Sequence, residues 1–183
     1  ENKADALELA KLLKTMSTLT KPIIALVHGR IMGGGVGLIA CCDITIAAEN
    51  ARFCFSEVKL GLIAATIAPY VVRSIGFSAA RRYLISAELF DAQNAQQIGL
   101  VHQLVAESQL LNAGRELATA IIQNGPTAIA MSKQMLNHLA SVEQPVIEYT
   151  VSLLAEIRGS HEGQEGVRAF LEKRKPNWIA DEH

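Results

Sequence analysis

The stretch that decides the fold is residues 31–43, which read Ile-Met-Gly-Gly-Gly-Val-Gly-Leu-Ile-Ala-Cys-Cys-Asp. Three consecutive glycines make a pliable backbone, because residues without a Cβ atom turn sharply and let a ligand approach the chain closely. If a helix begins at this turn, its first amide groups lack intrahelical acceptors and point at a ligand in front of them. Such donors stabilise a developing negative charge. Glu57, twenty residues beyond Gly37, is the carboxylate that we expect to move a proton beside the turn.

Three interpretations of this turn stay open on the residues alone. It is a tight turn that packs a helix against a strand, a dinucleotide-binding loop, or an anion hole built from amide groups. Residues 35–40 match the dinucleotide pattern Gly-x-Gly-x-x-Ala, and Glu57 follows at a suitable distance. Against that interpretation, Gly35 lies eight residues after Val27, where the preceding strand is predicted to end. The helix that follows has room for only about two turns, which is short for a crossover helix.

Composition excludes several classes of protein. The chain has 183 residues, of which 50% are hydrophobic and 19% charged, with a net charge of -1, as expected of one globular domain. No basic excess predicts nucleic-acid binding, and no apolar run reaches the length of about 18 residues that a membrane span needs. The cysteines, Cys41, Cys42 and Cys54, match no metal-site spacing. They predict reduced thiols and a cytoplasmic protein without a bound metal.

The order of the predicted elements indicates an α/β core followed by a helical part. Apolar runs and turn residues predict strands at 23–27, 44–48, 52–56 and 101–105. Helices are predicted at 4–19, 34–42, from 67 onward with a break at Gly76, and from Asp91, as N-cap, to about Gly99. Apolar periodicity predicts four more helices, centred on 110–121, 131–139, 147–154 and 167–171. We therefore divide the chain into a core at 1–105 and a helical part at 106–183, whose surplus of apolar faces indicates subunit packing.

A family resemblance decides between the interpretations of the turn. It is carried by six motifs, which are Lys-Pro-Ile-Ile-Ala-Leu-Val-His-Gly at 21–29, Gly-Gly-Gly at 33–35, Cys-Asp-Ile at 42–44, Ala-Arg-Phe at 51–53, Glu-Val-Lys-Leu-Gly-Leu at 57–62 and Glu-Gly-Val-Arg-Ala-Phe-Leu-Glu-Lys-Arg at 165–174. In these motifs, in order and along the whole chain, the sequence resembles the crotonase superfamily, which comprises the enoyl-CoA hydratases and isomerases. Together these motifs are specific, although each alone is weak.

The resemblance implies a fold, a substrate and an assembly. The fold is a spiral of ββα units with a C-terminal helical trimerisation region, and the assembly is a homotrimer or a dimer of trimers. The substrate is an acyl-CoA thioester, so coenzyme A enters as part of the substrate and no separate cofactor is expected. The thioester oxygen lies between two amides, one of which belongs to Gly34. The second amide comes from a segment upstream of Glu1, so we expect a beginning of the family domain to be missing.

One departure from the family pattern concerns the chemistry. Many hydratases of the family carry two glutamates, and the first of these positions is occupied here by Gly37, whereas the second matches Glu57. Two carboxylates share the orientation of water and the delivery of a proton to the α carbon. A single carboxylate suits a Δ3,Δ2-enoyl-CoA isomerase, or a hydratase in which another group holds the water. A catalytically silent acyl-CoA-binding protein is the third alternative.

The particular residues found in two of the motifs favour a hydratase among these alternatives. Residues 33–43 and 55–63 resemble bacterial methylglutaconyl-CoA and carboxygeranoyl-CoA hydratases of leucine and terpene breakdown, which act on branched, carboxylated acyl chains. A second departure lies at 64–68, Ala-Ala-Thr-Ile-Ala, where many members have proline and glycines, and it should reshape the wall of the acyl pocket.

The candidate site follows from the resemblance, residue by residue. Glu57 and Gly34 are the catalytic candidates, with Glu57 in its acid form giving a proton to the α carbon. Lys173 matches a position that meets the nucleotide of coenzyme A, and Leu154 one that packs against the adenine. The complete set of substrate-binding candidates is Gly33, Gly35, Gly37, Leu60, Ala65, Leu154 and Lys173.

Overall fold

The computed structural model describes residues 2–139 and 160–179. The chain divides into two compact units, Glu1–Leu19 with Ile23–Arg115, and Thr20–Pro22 with Glu116–His183. The helix predicted around 147–154, and with it Leu154, lies outside the described residues. In the parts that the structure describes, no helix combines the length and apolar character that crossing a membrane requires.

The first unit alternates short strands with helices. Its elements are α1 Asn2–Thr18, β1 Ile24–Val27, β2 Arg30–Met32, α2 Gly34–Ala40, β3 Ile44–Ala48, β4 Arg52–Cys54, α3 Ala68–Ser86, β5 Phe90–Asp91, α4 Ala92–Gln97 and β6 Gln103–Val105. Short 3₁₀ helices span Glu57–Leu60 and Glu107–Gln109. A further helix, α5 Leu110–Ile122, begins in this unit and ends in the second.

The strands build a spiral of ββα units. β1, β2 and α2 form one unit, and β3, β4 and α3 repeat the same order. Equivalent strands of the two units pair in parallel, β1 with β3 and β2 with β4, and β6 extends the first sheet beside β3. The α/β class and the spiral expected from the resemblance are therefore confirmed.

Two strands escape prediction because they are very short. β2 has three residues and β5 has two, so neither offers enough alternation of apolar and polar positions to be recognised. Their pairing with β4, which is parallel for β2 and antiparallel for β5, is what makes them strands. The strand predicted at 52–56 ends at Cys54, because the chain turns there into the 3₁₀ helix that begins at Glu57.

An aromatic cluster anchors β4 in the core. Phe53 and Phe55 are buried, and their ring centroids lie 5.5 Å and 6.1 Å from that of Phe90 on β5. Tyr83 on α3 packs against Phe90 at 4.2 Å. Pairs of this kind add about 0.5–1.5 kcal/mol each to the free energy of burial. The strand that precedes Glu57 is therefore held firmly.

Two other features of this unit were predicted correctly. Gly76, with φ 72° and ψ 164°, divides α3 into two helical segments, a conformation that glycine adopts without a Cβ penalty. Asp91 caps α4, since its carboxylate accepts a hydrogen bond of 2.8 Å from the amide of Asn94. That bond, assisted by the Asn94 side chain, holds the pKa of Asp91 below its ordinary value.

The described residues of the second unit are mainly helical, as expected. After the end of α5 the unit contains α6 Pro126–Leu139 and α7 His161–Glu172. Glu162 accepts hydrogen bonds from the first free amides of α6, at Thr127 and Ala128, over 2.9 Å and 2.7 Å. Arg174 holds Glu165 through two hydrogen bonds of 2.6 Å and 2.9 Å, which lower the pKa of that carboxyl to about 2. The C-terminal motif thus contains an ion pair that closes the end of α7.

Candidate active site

The glycine turn and Glu57 emerge from neighbouring strands of one sheet. β2 leads into the turn and β4 leads toward Glu57, with Met32 directly opposite Cys54 in the parallel ladder. The amide of Gly33 donates a hydrogen bond of 2.8 Å to the carbonyl of Cys54, which extends the ladder by one step. Backbone pairing therefore brings the turn beside the acid.

Gly33 gives the turn its direction. Its φ of 52° and ψ of -121° lie in a region that residues with a side chain rarely adopt. α2 begins immediately afterwards at Gly34, and the amide of Val36 donates to the carbonyl of Gly33 over 2.9 Å. Gly34 and Gly35 are thus the first residues of a helix, where amides have no intrahelical acceptor. A Cβ atom built on Gly34 would meet no heavy atom of a more distant part of the chain within 4 Å, so the space beside its Cα atom is open.

The carboxyl of Glu57 faces this turn. A Cβ atom built on Gly33 would lie 3.2 Å from Glu57 Oε1 and 3.5 Å from its carboxyl carbon. Glu57 Oε2 is shielded from solvent, and the described residues supply no hydrogen-bond partner for it. A buried carboxylate oxygen without a partner costs free energy of about 1–3 kcal/mol or more. This oxygen is therefore available to a bound ligand or water.

Gly37 lies in a different environment, against Ile67. A Cβ atom built on Gly37 would come within 2.6 Å of the Cβ of Ile67, and closer still to its Cγ2. Ile67 is only 2% exposed and immediately precedes α3. Ile67 therefore fills the space that a side chain at position 37 would enter. The two departures from the family pattern, at Gly37 and at 64–68, are therefore linked, because Ile67 of the second packs against Gly37 of the first.

This packing makes a prediction for stability. We expect Gly37→Ala to lower the free energy of unfolding by about 1–3 kcal/mol, because overpacking outweighs the helix propensity gained from alanine. In an Ile67→Ala background the same substitution should cost nothing, since the obstructing side chain is gone. Urea unfolding of the four proteins in this double-mutant cycle measures the coupling, with Gly34→Ala as the unobstructed control in the same helix. Equal costs of Gly37→Ala in both backgrounds would contradict the packing argument.

The other candidate residues are less closely grouped. Gly35 packs near Ile31, with the built Cβ atom 3.2 Å from Cγ2. Leu60 is 73% exposed and Ala65 is exposed, both in the segment between Glu57 and α3. Lys173, in the second unit, is exposed and follows α7 in a left-handed conformation with φ 54°.

Two neighbours of the site were missed by sequence reasoning. Ser56 Oγ lies 3.4 Å from the Cβ position of Gly33, on the same side as the Glu57 carboxyl. Ile67 belongs to the segment 64–68, whose departure from the family pattern does not by itself indicate a contact with Gly37. Ser56 could have been found because it directly precedes Glu57 in the sequence. No local sequence pattern, however, reveals that residue 67 contacts residue 37.

Two cysteines of the first unit are buried and poorly suited to act as nucleophiles. Burial raises the pKa of Cys41 to about 11, so its thiol is protonated near neutral pH and a poor nucleophile. Cys54 is buried, and its Sγ donates to the carbonyl of Ala87 over 3.2 Å. Across the residues that the structure describes, no three His, Cys, Asp or Glu side chains are grouped to hold a metal ion.

With this geometry established, comparison with known proteins identifies the family. Residues 2–181 match the model of the enoyl-CoA hydratase/isomerase family. The chain belongs to this family. The family predicted from the motifs is therefore confirmed, and relatives within it are named short-chain-enoyl-CoA hydratase and crotonyl-CoA hydratase.

Individual members of the enoyl-CoA hydratase/isomerase family show the extent of the similarity. The chain is 39% identical over 163 residues to the mevalonyl-coenzyme A hydratase sidH of Aspergillus fumigatus, covering 87% of this chain and 60% of that protein. It is 33% identical over 167 residues to a short-chain-enoyl-CoA hydratase of Clostridium acetobutylicum, and the match covers 90% of this chain and 64% of that protein. The crystal structure of an enoyl-CoA hydratase from Shewanella pealeana superimposes on this chain with a TM-score of 0.91 at 46% identity. The match covers 97% of this chain and 67% of that one. The chain thus spans less than two thirds of the length of both curated relatives.

Proposed function

We propose that the protein hydrates the double bond of a 2-enoyl-CoA thioester, with Gly34 and Glu57 as the catalytic residues. The observation that carries the proposal is the carboxyl of Glu57 beside Gly33, with one oxygen buried and unpartnered, next to the open space at Gly34. An amide donor and a proton-transferring group at the same turn are what addition to a conjugated thioester requires.

The proposed mechanism uses one carboxylate for both proton transfers. The amide of Gly34, with a second donor from a segment outside this chain, polarises the thioester carbonyl. Glu57 takes a proton from water while the water oxygen bonds to the β carbon, and the electrons of the double bond move onto the thioester as an enolate. Glu57, now in its acid form, gives the proton to the α carbon and returns to the carboxylate.

A Δ3,Δ2-isomerase is the second candidate, and the packing at Gly37 favours it. Because Ile67 fills the space beside Gly37, no second carboxylate can stand there without repacking. Shuttling a proton between the α and γ carbons needs only Glu57 and the anion hole. The silent acyl-CoA binder remains the outcome if neither reaction occurs.

The acyl chain that we propose is branched or carboxylated, as in 3-methylglutaconyl-CoA. The motifs at 33–43 and 55–63 support this substrate class, and a relative at 39% identity is named a mevalonyl-coenzyme A hydratase. The substrate-binding residues that we propose remain Gly33, Gly35, Gly37, Leu60, Ala65, Leu154 and Lys173. Leucine degradation is the corresponding pathway.

We also propose a homotrimer or a dimer of trimers in the cytoplasm. Large apolar side chains on α5, α6 and α7 are exposed, namely Ile122, Leu136, Val167 and Leu171. Such side chains in helices of the second unit support burial between subunits. The reduced state of the cysteines supports a reducing compartment.

A spectrophotometric assay of the full-length protein tests the function. We expect 3-methylglutaconyl-CoA and crotonyl-CoA to lose their conjugated absorbance as water adds. A gain of that absorbance from a 3-enoyl-CoA, without hydration, would instead identify the isomerase. Binding of acyl-CoA with neither change would contradict both reactions and leave the silent binder.

A further inference from the structure

The packing at Gly37 raises the question of which group beside Glu57 holds the attacking water. Water that is to add to the β carbon needs one partner to take its proton and another to fix its orientation. Glu57 supplies the first. Ile67 excludes a polar side chain from position 37, so the second must come from elsewhere.

Ser56 is the polar residue placed to do this. Its Oγ lies 3.4 Å, and Glu57 Oε1 lies 3.2 Å, from the same Cβ position over Gly33. Both oxygens therefore converge on one side of the turn. Gly33 has no side chain to fill the gap between them, and its left-handed conformation disfavours any replacement.

The neighbouring polar groups on this segment are engaged elsewhere. The thiol of Cys54 donates to the carbonyl of Ala87, and the ammonium of Lys59 lies 3.9 Å from the Cys54 sulfur. The 3₁₀ helix from Glu57 to Leu60 starts directly after Ser56 and is closed by Gly61, whose amide donates to Val58. The hydrogen-bonded backbone of this 3₁₀ helix thus fixes the positions of Ser56 and Glu57 relative to each other.

We propose that the Ser56 hydroxyl and the Glu57 carboxylate together hold the water that adds to the β carbon. This proposal rests on the proposed hydration. Ser56 Oγ accepts a hydrogen bond from the O–H that stays intact, while the other O–H gives its proton to Glu57. The water oxygen then forms the bond to carbon, and the proton passes from Glu57 to the α carbon, so Ser56 gains and loses no atom.

The test separates water addition from proton transfer. Hydration of 3-methylglutaconyl-CoA or crotonyl-CoA needs a positioned water, whereas exchange of the α proton of butyryl-CoA with D₂O needs only the acid and the anion hole. We expect Ser56→Ala to lower kcat for hydration by about 10- to 100-fold, because a positioning hydrogen bond is lost. Its α-proton exchange should stay within about threefold of the unchanged protein.

Two further variants control the experiment. Ser56→Thr keeps the hydroxyl and should restore hydration to within about threefold. Ser78→Ala removes a hydroxyl from the exposed surface of α3 and should change neither rate. Thermal unfolding of each variant reports whether the fold is intact.

The outcomes that overturn the proposal are distinct from failure of the proposed function. Hydration by Ser56→Ala at an undiminished rate would overturn the role of Ser56, as would an equal loss of hydration and exchange. Failure of Ser56→Thr to recover hydration would do the same. If the unchanged protein exchanges α protons but hydrates nothing, the proposed hydration itself is wrong, and the role of Ser56 falls with it.

Discussion

Glu57→Gln should lower kcat for hydration by about 10²- to 10⁴-fold, the range that a positioned proton-transfer group contributes. Glutamine keeps the size and shape of the side chain, so its packing beside Gly33 is retained, but an amide cannot accept and return the proton. In the proposed mechanism the same carboxylate serves both transfers, and no second carboxylate stands at Gly37 to compensate. Steady-state hydration kinetics, with KM measured alongside kcat, give the result.

The loss of activity in Glu57→Gln should arise in the proton-transfer steps and not in substrate binding. We expect acyl-CoA binding to change little, and α-proton exchange of butyryl-CoA to fall together with hydration. Glu49→Gln, at an exposed position between β3 and β4, is the matched control and should be as active as the unchanged protein. Hydration by Glu57→Gln within tenfold of the unchanged rate would remove Glu57 from the mechanism.

Gly34→Pro should lower kcat for hydration by at least about 10²- to 10³-fold, since one oxyanion donor is worth about 2.7–4 kcal/mol in the transition state. Proline has no amide hydrogen, and it is favoured at the first position of a helix. Gly34 occupies that position in α2, and the space around it is open. A residue that precedes proline must avoid the helical conformation and adopt an extended one. Gly33, with ψ of -121°, has the mirror image of an extended conformation, which glycine can adopt without a steric penalty. The fold should therefore survive.

Gly34→Ala is the comparison that isolates the amide. Alanine adds a methyl group at the same open position but keeps the N–H, so we expect the proline variant to be at least about 30-fold slower than the alanine variant. Circular dichroism and urea unfolding verify that both are folded. Equal kcat values for the two variants would show that the amide of Gly34 makes no contribution to catalysis.

Several parts of the fold could be predicted from the sequence because their signals are local. Gly76 and Asp91 act through their own backbone or the next turn, so a break and a cap were recognisable from single residues. The apolar runs at Ile24–Val27 and Ile44–Ala48 were recognisable as strands for the same reason. β2 and β5 were not, because a strand of two or three residues exists only through its partner, and partners are set by tertiary packing.

The candidate site was predictable only in part. The glycine turn and Glu57 were singled out from their residue types and from motifs in register, and the structure places the Glu57 carboxyl next to Gly33. The contact of Ile67 with Gly37 joins positions thirty residues apart, and no periodicity relates them. Ser56 becomes prominent only when the bend after Cys54 turns its hydroxyl toward Gly33.

The hydrogen bond from the Gly33 amide to the Cys54 carbonyl has a consequence for how such a protein diversifies. It fixes the spacing between the turn and the acid by strand register, which involves no side chain. Leu60 and Ala65, which we propose to contact the acyl chain, are exposed, so they can change without altering this spacing. A change of acyl-chain specificity would therefore require substitutions in the pocket wall but no change in the backbone that joins the turn to Glu57.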